Sequence, residues 1–106
     1  MATGFQFAGE ISQSAPEVIY TPGANINGVC NVNFVNKGST SVAIRLGYAA
    51  SATTSAVAHL EFNRTLGAGK SFERTAIALT GTQTLIAEVG TASAVNVTVW
   101  SVESTL

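Results

Sequence analysis

The chain has no aspartate. All six of its acidic residues are glutamate, and against five Lys and Arg they leave a net charge of −1. Only 10% of its 106 residues are charged, while 46% are hydrophobic. Nucleic-acid binders cluster basic side chains to release counterions from phosphates. Here Lys37, Arg45, Arg64, Lys70 and Arg74 are scattered and interleaved with Glu61 and Glu73, a pattern that argues against nucleic acid as a partner. A small free domain normally relies on charge to discourage self-association. So little charge, with a positive mean hydropathy, predicts that part of the surface is covered by protein.

Chemistry-bearing residues are equally sparse. The single cysteine, Cys30, cannot form an internal disulfide, which excludes a disulfide-stapled miniprotein. It sits in an apolar alternation and reads as a buried thiol. His59 is the only histidine. No hydroxyl stands beside it in a recognisable motif, so a nucleophile–base–orienter triad cannot be written, and a Cys30–His59 dyad would lack an orienting partner. The same shortage argues against zinc, whose sites draw about four ligands from Cys, His and carboxylates. No metal or cofactor is expected. Gly69-Lys70-Ser71 resembles part of a phosphate-binding loop, but that loop needs a glycine where Arg64 stands, and here it lies between two strand patterns. No spacing singles out two of the glutamates as a hydrolytic pair. The chain is expected not to be an enzyme.

Long hydrophobic runs are also missing. Val18 to Asn36 carries no charge, yet Pro22, Gly23, Gly28 and several Asn interrupt it, so no membrane span is expected. The start, Met-Ala-Thr-Gly-Phe-Gln-Phe, has neither a basic segment nor a continuous apolar one, so synthesis in the cytoplasm without a signal peptide is expected. In that setting the sequons at Asn63 and Asn96 have no consequence.

What the sequence does have is alternation with a period of two, which sends successive side chains to opposite faces of a strand. Cys30, Val32 and Phe34 share one face, with Asn31 and Asn33 on the other. After Asn36-Lys37-Gly38, Val42, Ile44, Leu46 and Tyr48 alternate in the same way, predicting an antiparallel hairpin with the preceding strand. Leu60 to Leu66 and Ser71 to Leu79, joined by Gly67-Ala68-Gly69-Lys70, predict a second hairpin. Leu85 to Val89, Val95 to Glu103 and the short Val18-Ile19-Tyr20 complete about seven strands. The Ala, Ser and Thr stretch from 49 to 58 reads as a loop. The expectation is an all-β, antiparallel two-sheet β-sandwich, jelly-roll or Ig-like, spanning residues 17–106. Asn31, Asn33, Asn36, Asn96 and many Ser, Thr and Ala would give it an uncharged surface, suited to a lasting interface.

Residues 1–16 differ from the rest and read as an extended N-terminal arm. Phe5, Phe7 and Ile11 are too apolar for a linker, so the segment either adds an edge strand to its own sheet or docks on a neighbour; these three are the candidate interface residues. Glu73 and Arg74, adjacent in a strand, point to opposite faces, and Arg74 is expected to cross toward the strand of Arg45 or that of Glu61 in a solvated cross-strand pairing. Trp100 faces opposite Val97 and Val99, and so is either packed in a second layer or exposed.

The strand motifs are Tyr20-Thr-Pro22, Asn31-Val-Asn-Phe-Val-Asn36, Val42-Ala-Ile-Arg-Leu46, Glu61-Phe-Asn-Arg-Thr-Leu66, Gly69-Lys-Ser-Phe-Glu-Arg-Thr75 and Val97-Thr-Val-Trp-Ser-Val-Glu103. Over about residues 18 to 103 they resemble those of small all-β virion proteins of tailed bacteriophages. The resemblance implies a virion location. It implies most directly a capsid decoration (cement) protein that binds the major capsid protein on the head shell, often as a trimer or other homo-oligomer. A tail- or neck-associated fibre adaptor is the second placement it implies. A carbohydrate-binding module is the rival class.

Overall fold

Alternation decides which side of each strand is buried, and the structure, a computed structural model, carries that rule through two sheets. It describes residues 4–11, 16–50, 57–90 and 94–105. The strands are β1 (Gly4–Glu10), β2 (Glu17–Tyr20), β3 (Ile26–Asn36), β4 (Val42–Ala49), β5 (Ala58–Leu66), β6 (Ser71–Thr80), β7 (Thr84–Val89) and β8 (Val95–Thr105). All seven expected strands are present, and the N-terminal segment supplies an eighth. The centre of the expected loop from 49 to 58, residues 51–56, lies outside the described residues.

One four-stranded sheet runs β1-β8-β3-β6 and the other β2-β7-β4-β5, every pairing antiparallel. The first strand pairs with the last, the second with the seventh, the third with the sixth and the fourth with the fifth. This is one long hairpin wound into two layers, and it is the jelly-roll alternative of the expected sandwich rather than the Ig-like one. Both predicted hairpins are therefore wrong: β3 and β4 lie in different sheets, as do β5 and β6. Periodicity specifies the buried face of each strand but not its neighbour, and a short turn serves a corner between layers as well as a hairpin within one.

Asn36 shows how the corners are held. Expected on the surface, it is fully buried. Its amide nitrogen donates to the carbonyls of Thr40 (2.8 Å) and Leu66 (2.9 Å), and its Oδ1 accepts from the Gly38 N–H (2.9 Å). Its main chain also exchanges hydrogen bonds with the β5–β6 turn, donating to Lys70 O and accepting from Gly69 N–H. One residue thus ties together two of the corners at which the chain changes sheets, β3–β4 and β5–β6. The Asn36 side chain itself and the Leu66 carbonyl are buried, and groups of that kind left without a partner cost about 1–3 kcal/mol each.

Between the sheets lies a β-branched core. β3 contributes Cys30, Val32 and Phe34, β8 contributes Val95, Val97 and Val99, and Ile44, Leu46, Leu85 and Val89 face them from the other layer. Each such side chain contributes roughly 1.5–3 kcal/mol when fully buried. Cys30 is buried as expected; its Sγ donates to Ile77 O at 3.4 Å, and burial pushes its thiol up to about 11.

The two open sides of the sandwich are cross-tied. On one, Arg74 of β6 meets Glu61 of β5 at 2.6 Å, one of the two strands expected for it but reached across the layers, and Arg64 lies 4.1 Å over the Phe72 ring. These are partly exposed contacts, worth about 1 kcal/mol or less. Elsewhere the Tyr20 hydroxyl of β2 donates to Glu103 of β8, bridging the sheets. Gly28 makes room for it, because a Cβ there would run into the Tyr20 hydroxyl. Burial, and then the hydrogen bond to Glu103, push the Tyr20 phenol up to about 12.

Asn36→Ala should lower the unfolding free energy by about 2 kcal/mol in urea denaturation, since it strips the partner from the buried Leu66 carbonyl and from two part-buried groups, Thr40 O and Gly38 N–H. A loss below roughly 0.5 kcal/mol would show that the corners do not depend on this side chain. For Tyr20, a folded pKa above the unfolded value of about 10 stabilises the fold fully below pH 10, a contribution lost as pH rises toward 12. Absorbance at 295 nm should show one tyrosine ionising near pH 12, and Glu103→Gln should bring that step down.

Candidate interaction surfaces

Strands β8 and β3 are the two central strands of their sheet, and they pair without interruption from Ile26↔Thr105 to Asn36↔Val95. Their inward residues form the core, and their outward residues form the middle of a flat face. Across that face Phe5, Trp100 and Asn31 stand in one row, and Val102, Val29 and Ala78 in the next. Phe5 is 69% exposed, Val102 67% and Val29 48%. The Phe5 ring lies 5.5 Å from Trp100, tilted by 39°, and Trp100 is half-buried. Flanking rows are Thr98 with Asn33, and Ser104 with Asn27. The outward charges in these pairings are Glu10 and Glu73, both on the edge strands, so the centre of the face is uncharged and partly apolar.

The three candidate interface residues separate here. Phe5 and Phe7 would share a face in an unbroken strand, but the register shifts between them. Phe5 consequently pairs with outward Trp100, while Phe7 pairs with inward Val99 and packs against the core. Ile11, at 0% exposure, is part of the core itself. Of the two alternatives for this segment, the structure shows the edge strand of its own sheet. The division into an arm over 1–16 and a domain over 17–106 is corrected accordingly, because residues 4–11 belong to the sandwich. Alternation sees the apolar residues, but a one-residue bulge reverses the facing of everything beyond it.

A second surface forms on the outside of the other sheet, around Arg45. Its Nε donates to Asn63 Oδ1 at 2.7 Å, its Nη1 lies 3.6 Å from Glu88, and its guanidinium sits 4.3 Å from the centre of the Phe62 ring. His59 meets the same ring edge-on at 4.9 Å. Shallow depressions of about 230 and 200 Å³ flank the Arg45–Glu88 pair, one reaching Pro16, Val57 and Ile86, the other Ala43 and Gly90. Gly47 lets β5 approach here, since a Cβ would sit 2.5 Å from the Ala58 carbonyl. Sequence reading missed this cluster: Arg45 and Asn63 are joined only by the β4–β5 pairing, and Glu88 by β4–β7. The available signal was a charged residue at an outward position of each strand.

Cys30 and His59 fall in different sheets, the thiol inward on β3 and the imidazole exposed on β5. In the Gly69-Lys70-Ser71 turn, the Gly69 and Lys70 amides are donated to Asn36 and Gly67 carbonyls. Among the described residues no three His, Cys, Asp or Glu side chains gather. There is likewise no helix long and apolar enough to cross a membrane among them. No protein-family model matches the chain, and no curated protein matches it.

The Phe5–Trp100 contact is directly checkable. Phe5→Ala should steepen acrylamide quenching of Trp100 fluorescence and shift its emission to the red. Stability should change by only about 0.5 kcal/mol, because Phe5 is mostly exposed. An unchanged quenching slope would mean that Phe5 does not cover the indole.

Proposed function

We propose that this chain is a non-enzymatic structural protein of a bacteriophage virion, made in the host cytoplasm, that decorates the head by binding the major capsid protein on its outer surface. One observation carries the reading: the outward face of β8 and β3, with Phe5, Val102 and Val29 exposed, Trp100 half-buried among them and no charge at its centre. Interfaces lose charge at their core and gain aromatics there, while their rims stay polar. This face has that arrangement, with Glu10 and Glu73 at its margins. The strand motifs that resemble small phage virion proteins supply the class of partner.

The mechanism is thermodynamic. A subunit that binds the assembled shell, and not its dissociated parts, stabilises the assembly by its binding free energy, repeated at each equivalent site. Phe5, exposed on the face, replaces the three-residue arm as the apolar contribution of the N-terminal segment. Removing residues 1–12 would take out β1 and core residue Ile11, so it would test folding rather than binding.

A carbohydrate-binding reading has one observation in its favour, since a partly exposed Trp100 with Phe5 beside it and Asn31 in the same row also suits stacking against a sugar ring. Partition of the chain between purified heads and tails, with its copy number measured by mass spectrometry, separates the readings. Decoration predicts copies comparable to the major capsid protein, travelling with heads. A few copies travelling with tails would move the chain to a neck or fibre adaptor, and absence from both would leave the sugar reading. In a shell-binding assay, Trp100→Ala should cost about 2 kcal/mol, roughly thirtyfold in affinity, with the fold intact.

A further inference from the structure

The four edge strands of the sandwich are not equally protected. β2 has only four residues and follows Pro16. β5 carries His59, Glu61 and Arg64, with two breaks in register. β6 carries Glu73 and Arg74, and a bulge at which Ala76 takes a φ of 58°. Short length, charge and bulging are the devices by which a sheet edge is kept from pairing with another chain. β1 is the least protected: its one charge, Glu10, stands at its end and is paired with Lys37, and beyond the register break at Gln6 it runs regularly through Phe7↔Val99, Ala8↔Thr98, Gly9↔Val97 and Glu10↔Asn96.

The ladder tells which main-chain groups are spare. The Ile11 N–H donates to Val95 O at 3.2 Å. In an antiparallel pair, hydrogen-bonded residues alternate with non-bonded ones. Phe7, Gly9 and Ile11 therefore bond to β8, and Ala8 and Glu10 direct both their N–H and C=O groups outward from the sheet. Ala8, Gly9 and Glu10 are all exposed.

We propose that β1 pairs with β1 of a second copy about a two-fold axis through Gly9, making one continuous eight-stranded sheet across a dimer. This register puts Ala8 opposite Glu10 of the partner copy, and Glu10 opposite its Ala8, so every outward main-chain group named above gains a partner. No like charges face each other. Each Glu10 is also neutralised within its own chain by Lys37, at 2.6 Å. The two Gly9 residues meet on the axis at the close, non-bonded spacing of about 4.5 Å between Cα atoms, where the lack of a side chain on either removes any clash. The contact is isologous, as a two-fold requires, and it yields a dimer where the virion resemblance implies a trimer. It is independent of shell binding, since it concerns the purified chain alone.

The test is the solution mass of the full chain. Light scattering after size exclusion should give twice the 10.9 kDa of one chain. Ala8→Pro removes an N–H that β8 does not use, and edge strands tolerate proline at such positions. It should give a monomer with an unchanged circular dichroism spectrum. Gly9→Cys should form an interchain disulfide on mild oxidation, because the expected Cα spacing lies within disulfide reach and nothing crowds a side chain at that position. Val102→Cys, exposed on the outer face, should cross-link far more slowly. A monomeric wild type, leaving the edge for some other strand, would overturn the proposal, as would a folded Ala8→Pro chain that stays dimeric. Should Ala8→Pro fail to fold, the Gly9→Cys chain decides: selective cross-linking supports the pairing and its absence refutes it.

Discussion

The pairing of β3 with β8 is the constraint on which the rest of the molecule depends. It runs for eleven residues without a break, while the five other pairings each shift register or span fewer residues. An unbroken antiparallel register keeps the two faces strictly separate. Val32, Phe34, Val97 and Val99 all point into the core, and Val29, Asn31, Trp100 and Val102 all point away from it. Core and candidate interface are the two sides of a single ladder.

Around this spine, the irregular elements do specific things. The break at Gln6 sends Phe5 out and Phe7 in, providing the exposed face with an aromatic and the core with another. The break in β6 is met by Asn31, whose Oδ1 accepts from the Ala76 N–H at 2.9 Å, so a bulge that would leave an amide free is closed by a side chain on the neighbouring strand. Asn36 does the same for the corners between sheets. Asparagine contributes here by satisfying main-chain groups without introducing charge, which the desolvated interior would penalise. The scarcity of ions noticed in the sequence thus has two outcomes, a neutral outer face and buried corners closed by an amide.

Charges stay off the centre of the β3–β8 face. Arg74–Glu61, Arg45–Glu88 and Lys37–Glu10 join edges or flank depressions, and none occupies the outward middle of β3 and β8. The β1 edge, whose one charge is the Lys37-paired Glu10 at its end, and the outer face beside it are continuous, and the proposed dimer would place two such faces in one sheet.

By itself the sequence determined the all-β class, the position of seven of the eight strands and the inward side of the regular ones, because each of these follows from local alternation and turn residues. The burial of Cys30 was legible in the same way, whereas the sequence left Arg74 between the strands of Arg45 and Glu61. Tertiary structure decided which strands are neighbours, and so dissolved both predicted hairpins. It decided the fate of Phe7, Ile11 and Asn36, and it assembled the Arg45 cluster from three strands, β4, β5 and β7. The physical reason is common to all of these: period two fixes the facing of a side chain only relative to its own strand. Neighbours, corners and bulges are set by which main-chain groups find partners when the two layers close.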